Sequence, residues 1–283
     1  METNKTIIPA RHCVNLGDLI YSLWALRQAS IKYNAKIMLY QWIDRPAFYY
    51  EGAQHPTKGK NGQEVSMNKA MFDMVKPLIM SLDFIEGFEP YNCEKIAIDL
   101  DRCRTMNVGI PFGDIRKWVM YASPDLHADI SEPIFSLSSI GAKLDLKPDN
   151  YLGKMYVELE NSIIVNRTSR YRNELIHYGF LQNVNRKIYF AGTMAEYAEF
   201  QSYVPKANYL RVTNFLELAL FIGVCELFIG NQSFCFSLAE ALKSRRVLEV
   251  CSFAPNVIVC GENGYDYYDQ TAFEFIVNNL LEK

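Results

Sequence analysis

The chain has 283 residues, 49% of them apolar and 22% charged, enough to bury one large core or two smaller ones without disulfide or metal staples. Its 29 basic and 32 acidic residues nearly cancel, in both halves of the chain alike, so no nucleic-acid partner is expected. The seven cysteines are scattered, odd in number and never spaced C-x-x-C, which excludes a zinc ribbon or disulfide framework and suits a reducing cytoplasm. No apolar run reaches the roughly 18 residues of a transmembrane helix, and no secretory signal pattern opens the chain.

Taken in chain order, residues 6–10 read as a short buried strand, 11–17 as a polar turn and 18–33 as an amphipathic helix. Residues 35–40 read as a second strand, completing a βαβ unit that implies a parallel α/β sheet. Residues 42–66 break the rhythm with aromatics, prolines and glycines, as a functional loop does. A helix is expected at 68–81, a strand at 95–100, a short helix at 115–121 and a connector at 143–154. Beyond residue 160 the alternation sharpens. Strands are expected at 162–165, 187–190, 209–212, 226–229, 247–250 and 257–259, with helices at 174–181, 194–203, 215–224, 232–242 and 272–281. Two βα-repeating halves follow, with domains at 1–155 and 156–283.

The candidate chemistry lies in turns that leave the carboxyl ends of strands, where open α/β sheets bind ligands. The first turn runs from His12 to Asp18. Gly17 permits close backbone approach, Asp18 is either a helix cap or a catalytic carboxylate, and His12 shares the turn. No G-x-G-x-x-G is present. The second turn follows the strand at 162–165 and carries Arg167, Thr168, Arg170 and Arg172, three guanidinium groups within six residues that suit a phosphate rather than a solvated basic loop. The third, Gly192-Thr193, precedes a helix holding Glu196. The fourth, Gly230-Asn231-Gln232-Ser233, opens a helix whose free amides and dipole would favour a phosphate; Asn231 or Ser233 could equally be its cap. Glu240, further along that helix, would meet ribose hydroxyls or lie on the surface. Asp99 and Asp101 have the Asp-x-Asp spacing but read as structural or surface groups, so no metal site is expected. His127 and His177 read as satisfied polar residues, and His55 as a residue of the irregular loop that could touch an acceptor.

Four segments, 15–28, 165–173, 190–200 and 228–250, together resemble the heptosyltransferase-like, family 9-type glycosyltransferases of the GT-B fold. The resemblance covers the first helix and the carboxyl-terminal half, and is poor over residues 42–145. It implies a compact α/β protein with two Rossmann-like domains facing across a cleft, an acceptor domain first and a nucleotide-sugar domain second. Asp18 matches the family's catalytic base, and Arg167, Arg170 and Arg172 occupy the region that contacts the donor diphosphate. The expected reaction moves a sugar from a nucleotide-sugar co-substrate to a hydroxyl of a glycan or lipid-linked acceptor, with inversion and with no cofactor. The expected location is the cytoplasm, at most peripheral to the inner face of the membrane. One departure stands out: the family's Asp-Thr-Gly-x-x-His is replaced by Asn231-Gln232-Ser233-Phe234-Cys235-Phe236. Polysaccharide pyruvyl transfer, from an Asn-x-Gly-Asp turn of the same kind, and a non-catalytic sugar-nucleotide-binding protein are the alternative readings.

Overall fold

The computed structural model describes residues 6–47, 57–106 and 113–282; His55 lies outside them. The chain divides into two compact units, residues 1–130 with 214–216, and residues 131–213 with 217–283. The boundary expected at 155/156 falls inside a helix of the second unit.

The first unit is built on β1 (Thr6–His12), α1 (Leu16–Tyr33), β2 (Ala35–Gln41), α2 (Lys69–Ile79), β3 (Ile85–Pro90) and β4 (Ile98–Asp99). Its four strands are all parallel, in the order β3-β2-β1-β4. Helix α1 presses Leu19, Ile20, Leu23, Trp24 and Leu26, all fully buried, into the core. At its far end Asn34 adopts a left-handed conformation that ends the helix and turns the chain into β2. Strand β3 escaped the sequence reading because Glu86, Gly87 and Glu89 dilute its apolar pattern. The strand expected at 95–100 is only two residues long, followed at once by a 3-10 turn, Arg102–Thr105. Residues 115–121 form a 3-10 turn and then α3 (Trp118–Ala122).

The second unit opens with α4 (Leu137–Gly141) and α5 (Tyr151–Leu159), the latter starting inside the stretch 143–154 that the sequence suggested as a connector. Asn150 caps α5 by accepting from the Gly153 amide at 2.8 Å. There follow β5 (Ser162–Asn166), β6 (Lys187–Phe190), α6 (Met194–Tyr203), β7 (Asn208–Tyr209), α7 (Phe215–Val224), β8 (Leu227–Asn231), α8 (Phe234–Leu242), β9 (Arg246–Glu249), β10 (Gly264–Tyr267) and α9 (Gln270–Leu281). The six strands are again all parallel, in the order β10-β9-β8-β5-β6-β7. Counted within the unit this is the 3-2-1-4-5-6 order of the Rossmann fold. The central strands β5 and β8 are buried along their whole length, as a sheet covered on both faces requires.

Two expected elements are corrected. The helix at 174–181 does not form: the Arg167 guanidinium donates to the Asn173 and Ile176 carbonyls, at 3.1 and 3.0 Å, and the Asn173 carbonyl also accepts from the Ile176 amide at 3.1 Å in a turn that is not continued. Only a 3-10 turn, Gly179–Asn183, remains. The strand at 257–259 is absent, and Gly264–Tyr267 takes the place beside β9.

Candidate functional site

Each sheet reverses its strand order once on either side of its first strand, between β1 and β4 in the first unit and between β5 and β8 in the second. At such a switch point the loops leaving adjacent strands diverge and open a crevice, and ligands of open α/β sheets bind there. The turns holding Asp18, Arg167–Arg172 and Gly230–Ser233 lie at these two places, while Gly192 and Thr193 follow the neighbouring β6.

In the first unit, the turn after β1 meets the 3-10 turn after β4. Asp18 lies in the first turn of α1, where the helix dipole favours an anion, but it is not the cap. That position belongs to Asn15, which makes no side-chain hydrogen bond to the helix. The Asp18 carboxylate is instead ion-paired through Oδ2 with Arg104, both side chains about a quarter exposed. Arg104 also donates from Nε to Asp101 at 3.1 Å and stands 5.5 Å over the Trp118 ring. Asp101 accepts from the Cys13 amide at 2.6 Å. One buried carboxylate thus ties the β1 turn to the arginine that sets Asp18. Burial works to raise the Asp101 pKa, but His12, Arg104 and the Cys13 amide outweigh it and hold the value below its ordinary range.

His12 ends β1 and is almost fully buried, its Nδ1 2.9 Å from Gln41 Oε1. Gln41 spends its amide nitrogen on the Val14 and Trp42 carbonyls, at 3.3 and 3.2 Å, so its oxygen accepts and His12 Nδ1 donates. The thiols beside the turn are chemically quiet. Burial, then the Asp101 charge, pushes Cys13 up to about 12, and burial pushes Cys103 to about 11. Raised pKa values disfavour the thiolate form at both positions.

In the second unit the three arginines part ways. Arg167 turns inward: Nε and Nη2 grip Glu249 at 2.8 and 3.1 Å, and the guanidinium lies 4.8 Å over Tyr178. Arg172 donates to the Thr168 carbonyl at 2.8 Å and binds both Glu199 oxygens on α6, at 2.5 and 2.9 Å. Arg170, half-buried, stands 5.9 Å over the Tyr171 ring, which stacks on Phe253 at 6.0 Å. Tyr171 has a φ of 56°, an uncommon conformation for an aromatic residue that the surrounding loop must hold in place. Asn231, fully buried, provides part of that hold. Its Oδ1 accepts from the Thr168 amide at 3.0 Å, and its Nδ2 donates to the Thr168 and Arg170 carbonyls at 3.1 and 2.8 Å.

Gly230 is required by packing, because a Cβ there would stand 2.8 Å from the Asn166 carbonyl. Ser233 is the cap of α8, accepting from the Phe236 amide at 3.1 Å. Gln232 donates to Asn256 at 2.9 Å while its buried Oε1 has no partner among the described residues. Asn166 donates to the Ala191 carbonyl at 2.5 Å, and its buried Oδ1 is likewise unmatched. Thr193 caps α6 in a capping box with Glu196, while Tyr209 donates to the Gly192 carbonyl at 2.9 Å. Glu240 is fully buried and accepts from Lys243 and Arg246, each at 2.6 Å, so the surface and ribose readings both give way to an internal ion pair. His127 and His177 are exposed.

Sequence reasoning did not single out Arg104, Gln41, Glu249 or Trp118, and it placed Asp101 in a bland region. The signal for Arg104 was slight: a basic residue just past a short strand.

No family model matches the chain, and no curated protein matches its sequence. Solved structures do match it in fold. E. coli heptosyltransferase WaaC with ADP-2-deoxy-2-fluoro heptose superposes with a TM-score of 0.60 at 8% identity, over 97% of this chain and 99% of that one. E. coli ADP-heptose LPS heptosyltransferase II gives 0.54 at 11% identity, with 98% of each chain covered. A family 9 glycosyl transferase from Veillonella parvula gives 0.53 at 12% identity, over 100% of this chain and 91% of that one. The chain therefore has the fold of the heptosyltransferases, two Rossmann-like α/β units of the GT-B class, from one end to the other.

Proposed function

We propose that this protein is a glycosyltransferase that moves a sugar from a nucleotide-activated donor to a hydroxyl of a glycan or lipid-linked acceptor. The observation that carries the reading is Asp18: a carboxylate at the switch point of the first sheet, set by Arg104, in a chain that shares its fold almost end to end with ADP-heptose enzymes. Asp18 serves as general base and takes the proton of the acceptor hydroxyl as it attacks the anomeric carbon. Arg104 and Asp101 are positioning residues, and His12 supports the turn through Gln41 rather than touching substrate. The second unit holds the donor. The α8 amides face the diphosphate with Arg170 beside them, where charge grows as the nucleoside diphosphate leaves. Arg167 and Arg172 stiffen this loop from within. Attack opposite the leaving group inverts the anomeric centre, and the protein's own cations take the part a metal would play. The setting is the cytoplasm, with a lipid-linked acceptor reached from the inner face of the membrane.

The test is a transfer assay over a panel of nucleotide sugars, run with Asp18→Asn. The variant is expected to lose about 10²–10⁴-fold in kcat while nucleoside diphosphate binding by calorimetry stays within about twofold. Full turnover by Asp18→Asn would remove the base. A binding protein without turnover is the second reading, favoured by the burial of Arg167 and Glu240, which leaves fewer groups for a donor. Binding with no transfer or hydrolysis across the panel would select it. Including phosphoenolpyruvate in the panel tests pyruvyl transfer.

A further inference from the structure

The other edge of the second sheet carries a feature that the proposed reaction does not use. A cavity of about 1210 Å³ opens at the amino-terminal edge, against α5 and the first residues of β5, β6 and β7, Ser162, Lys187 and Asn208. It lies at the opposite edge of the sheet from the Arg167–Asn173 and Gln232–Ser233 loops, which leave the carboxyl ends of β5 and β8. The volume is ample for a ligand of nucleotide or headgroup size.

Its wall is cationic. Lys154, Arg186, Lys187 and Lys206 line it against a single carboxylate, Glu158, in a chain whose net charge is −3. Two of the four are neutralised: Arg186 binds Glu226 at 2.6 and 3.1 Å, and Lys187 binds Glu158 at 2.8 Å. The remaining two have no carboxylate among the described residues. Lys154 is exposed, and Lys206 donates only to the Val184 carbonyl. Burial lowers the Lys206 pKa, the sign of an ammonium that has lost water and gained no counter-charge. Amide side chains of Asn185 and Asn208 stand in the same wall. A concave surface with two uncompensated ammonium groups and neighbouring amides matches an anion with several oxygens.

We propose that this cavity is a second ligand site, separate from the one at the carboxyl edge, that binds a phosphorylated ligand through its phosphate groups, with Lys154 and Lys206 as the charged contacts. The ligand is either a soluble phosphorylated molecule or an anionic lipid headgroup; both present the same phosphate oxygens.

Calorimetric titration with inorganic pyrophosphate probes the soluble source, and cosedimentation with phosphatidylglycerol vesicles, against phosphatidylcholine vesicles, probes the headgroup. The full chain is compared with Lys154→Gln/Lys206→Gln, Lys154→Arg/Lys206→Arg and the single surface change Lys154→Glu. Arg170→Gln accounts for pyrophosphate held at the other edge. The site predicts at least a tenfold weaker affinity for one of the two probes in Lys154→Gln/Lys206→Gln. It predicts a like loss in Lys154→Glu, which needs no buried change, and little change in the arginine pair; pyrophosphate is titrated in the Arg170→Gln background, so that what the other edge holds is not counted. If neither probe binds, or binding in that background survives both charge-removing variants, the proposal is overturned.

Discussion

Asp18 and Arg104 stand 86 residues apart and meet because two parallel strands deliver their following turns to one crevice. The arginine engages Oδ2 and leaves Oδ1 without a hydrogen bond among the described residues, which is the geometry a proton acceptor needs. Asp101 is where pH enters this cluster. Its burial, opposed and outweighed by His12, Arg104 and the Cys13 amide, leaves its pKa lowered. A carboxyl with a lowered folded pKa stabilises the fold above its unfolded value of about 3.9, and that contribution is lost as the pH falls through the lower folded value. Asp101→Asn is therefore expected to be less stable than the native chain at pH 7, with the difference shrinking as the pH drops below about 4. Urea unfolding across that range measures it; a difference that stayed constant would take the charge out of the account. The residue types at Asp18 and at the arginine cluster were legible in sequence. How Arg167, Arg170 and Arg172 divide their roles was not, since they are chemically alike and only their partners separate them.

At the scale of elements, the loop after β5 owes its shape to side chains rather than to backbone propensity. Arg167 bridges from that loop to Glu249 at the end of β9, and takes the Asn173 and Ile176 carbonyls on the way. Residues 174–181 have helical spacing, yet the guanidinium takes the Ile176 carbonyl and shares the Asn173 carbonyl with the Ile176 amide. Glu249 is fully buried and Arg167 nearly so. Removing one partner of such a pair strands the other charge, so Glu249→Gln is expected to cost about 3–5 kcal/mol. Replacing both by apolar residues, Arg167→Met/Glu249→Leu, is expected to cost less. Denaturant unfolding of the two variants decides it, and a milder loss in the single variant would show that the pair is dispensable. Short strands were the hardest elements to read. β3, diluted by glutamates, was not read at all, while the strands read at 95–100 and 209–212 are the two-residue β4 and β7, too short for a period to fix their ends.

Across the whole molecule, the two units have separate sheets and separate cores. Unfolding need not be a single step in such a chain. If the second unit holds the donor, a nucleoside diphosphate at about 100 times its Kd adds about 2.7 kcal/mol to that unit. At roughly 2–4 °C per kcal/mol, the transition of the second unit rises by several degrees. The transition of the first unit is expected to stay in place, and Asp18→Asn is expected to leave the shift intact. Differential scanning calorimetry reads both transitions. No rise with any nucleoside diphosphate would contradict a donor site there.

By itself the sequence determined that this is a two-part α/β protein, pointed to the turns after β1, β5, β6 and β8 as the places for a ligand, and carried segments similar to heptosyltransferases. Those properties follow from local signals: apolar runs, helical spacing, and glycine or arginine just past a strand. Tertiary structure alone decided which of those residues face a crevice and which are sealed. Glu240 is locked between Lys243 and Arg246, Asn231 became a strut, and Arg104 reached Asp18, all through partners distant in sequence or through which helix face turned inward. Spacing along the chain sets what a residue is able to do. The pairing of charges across the fold, where burial makes an unmatched group costly, sets what it does.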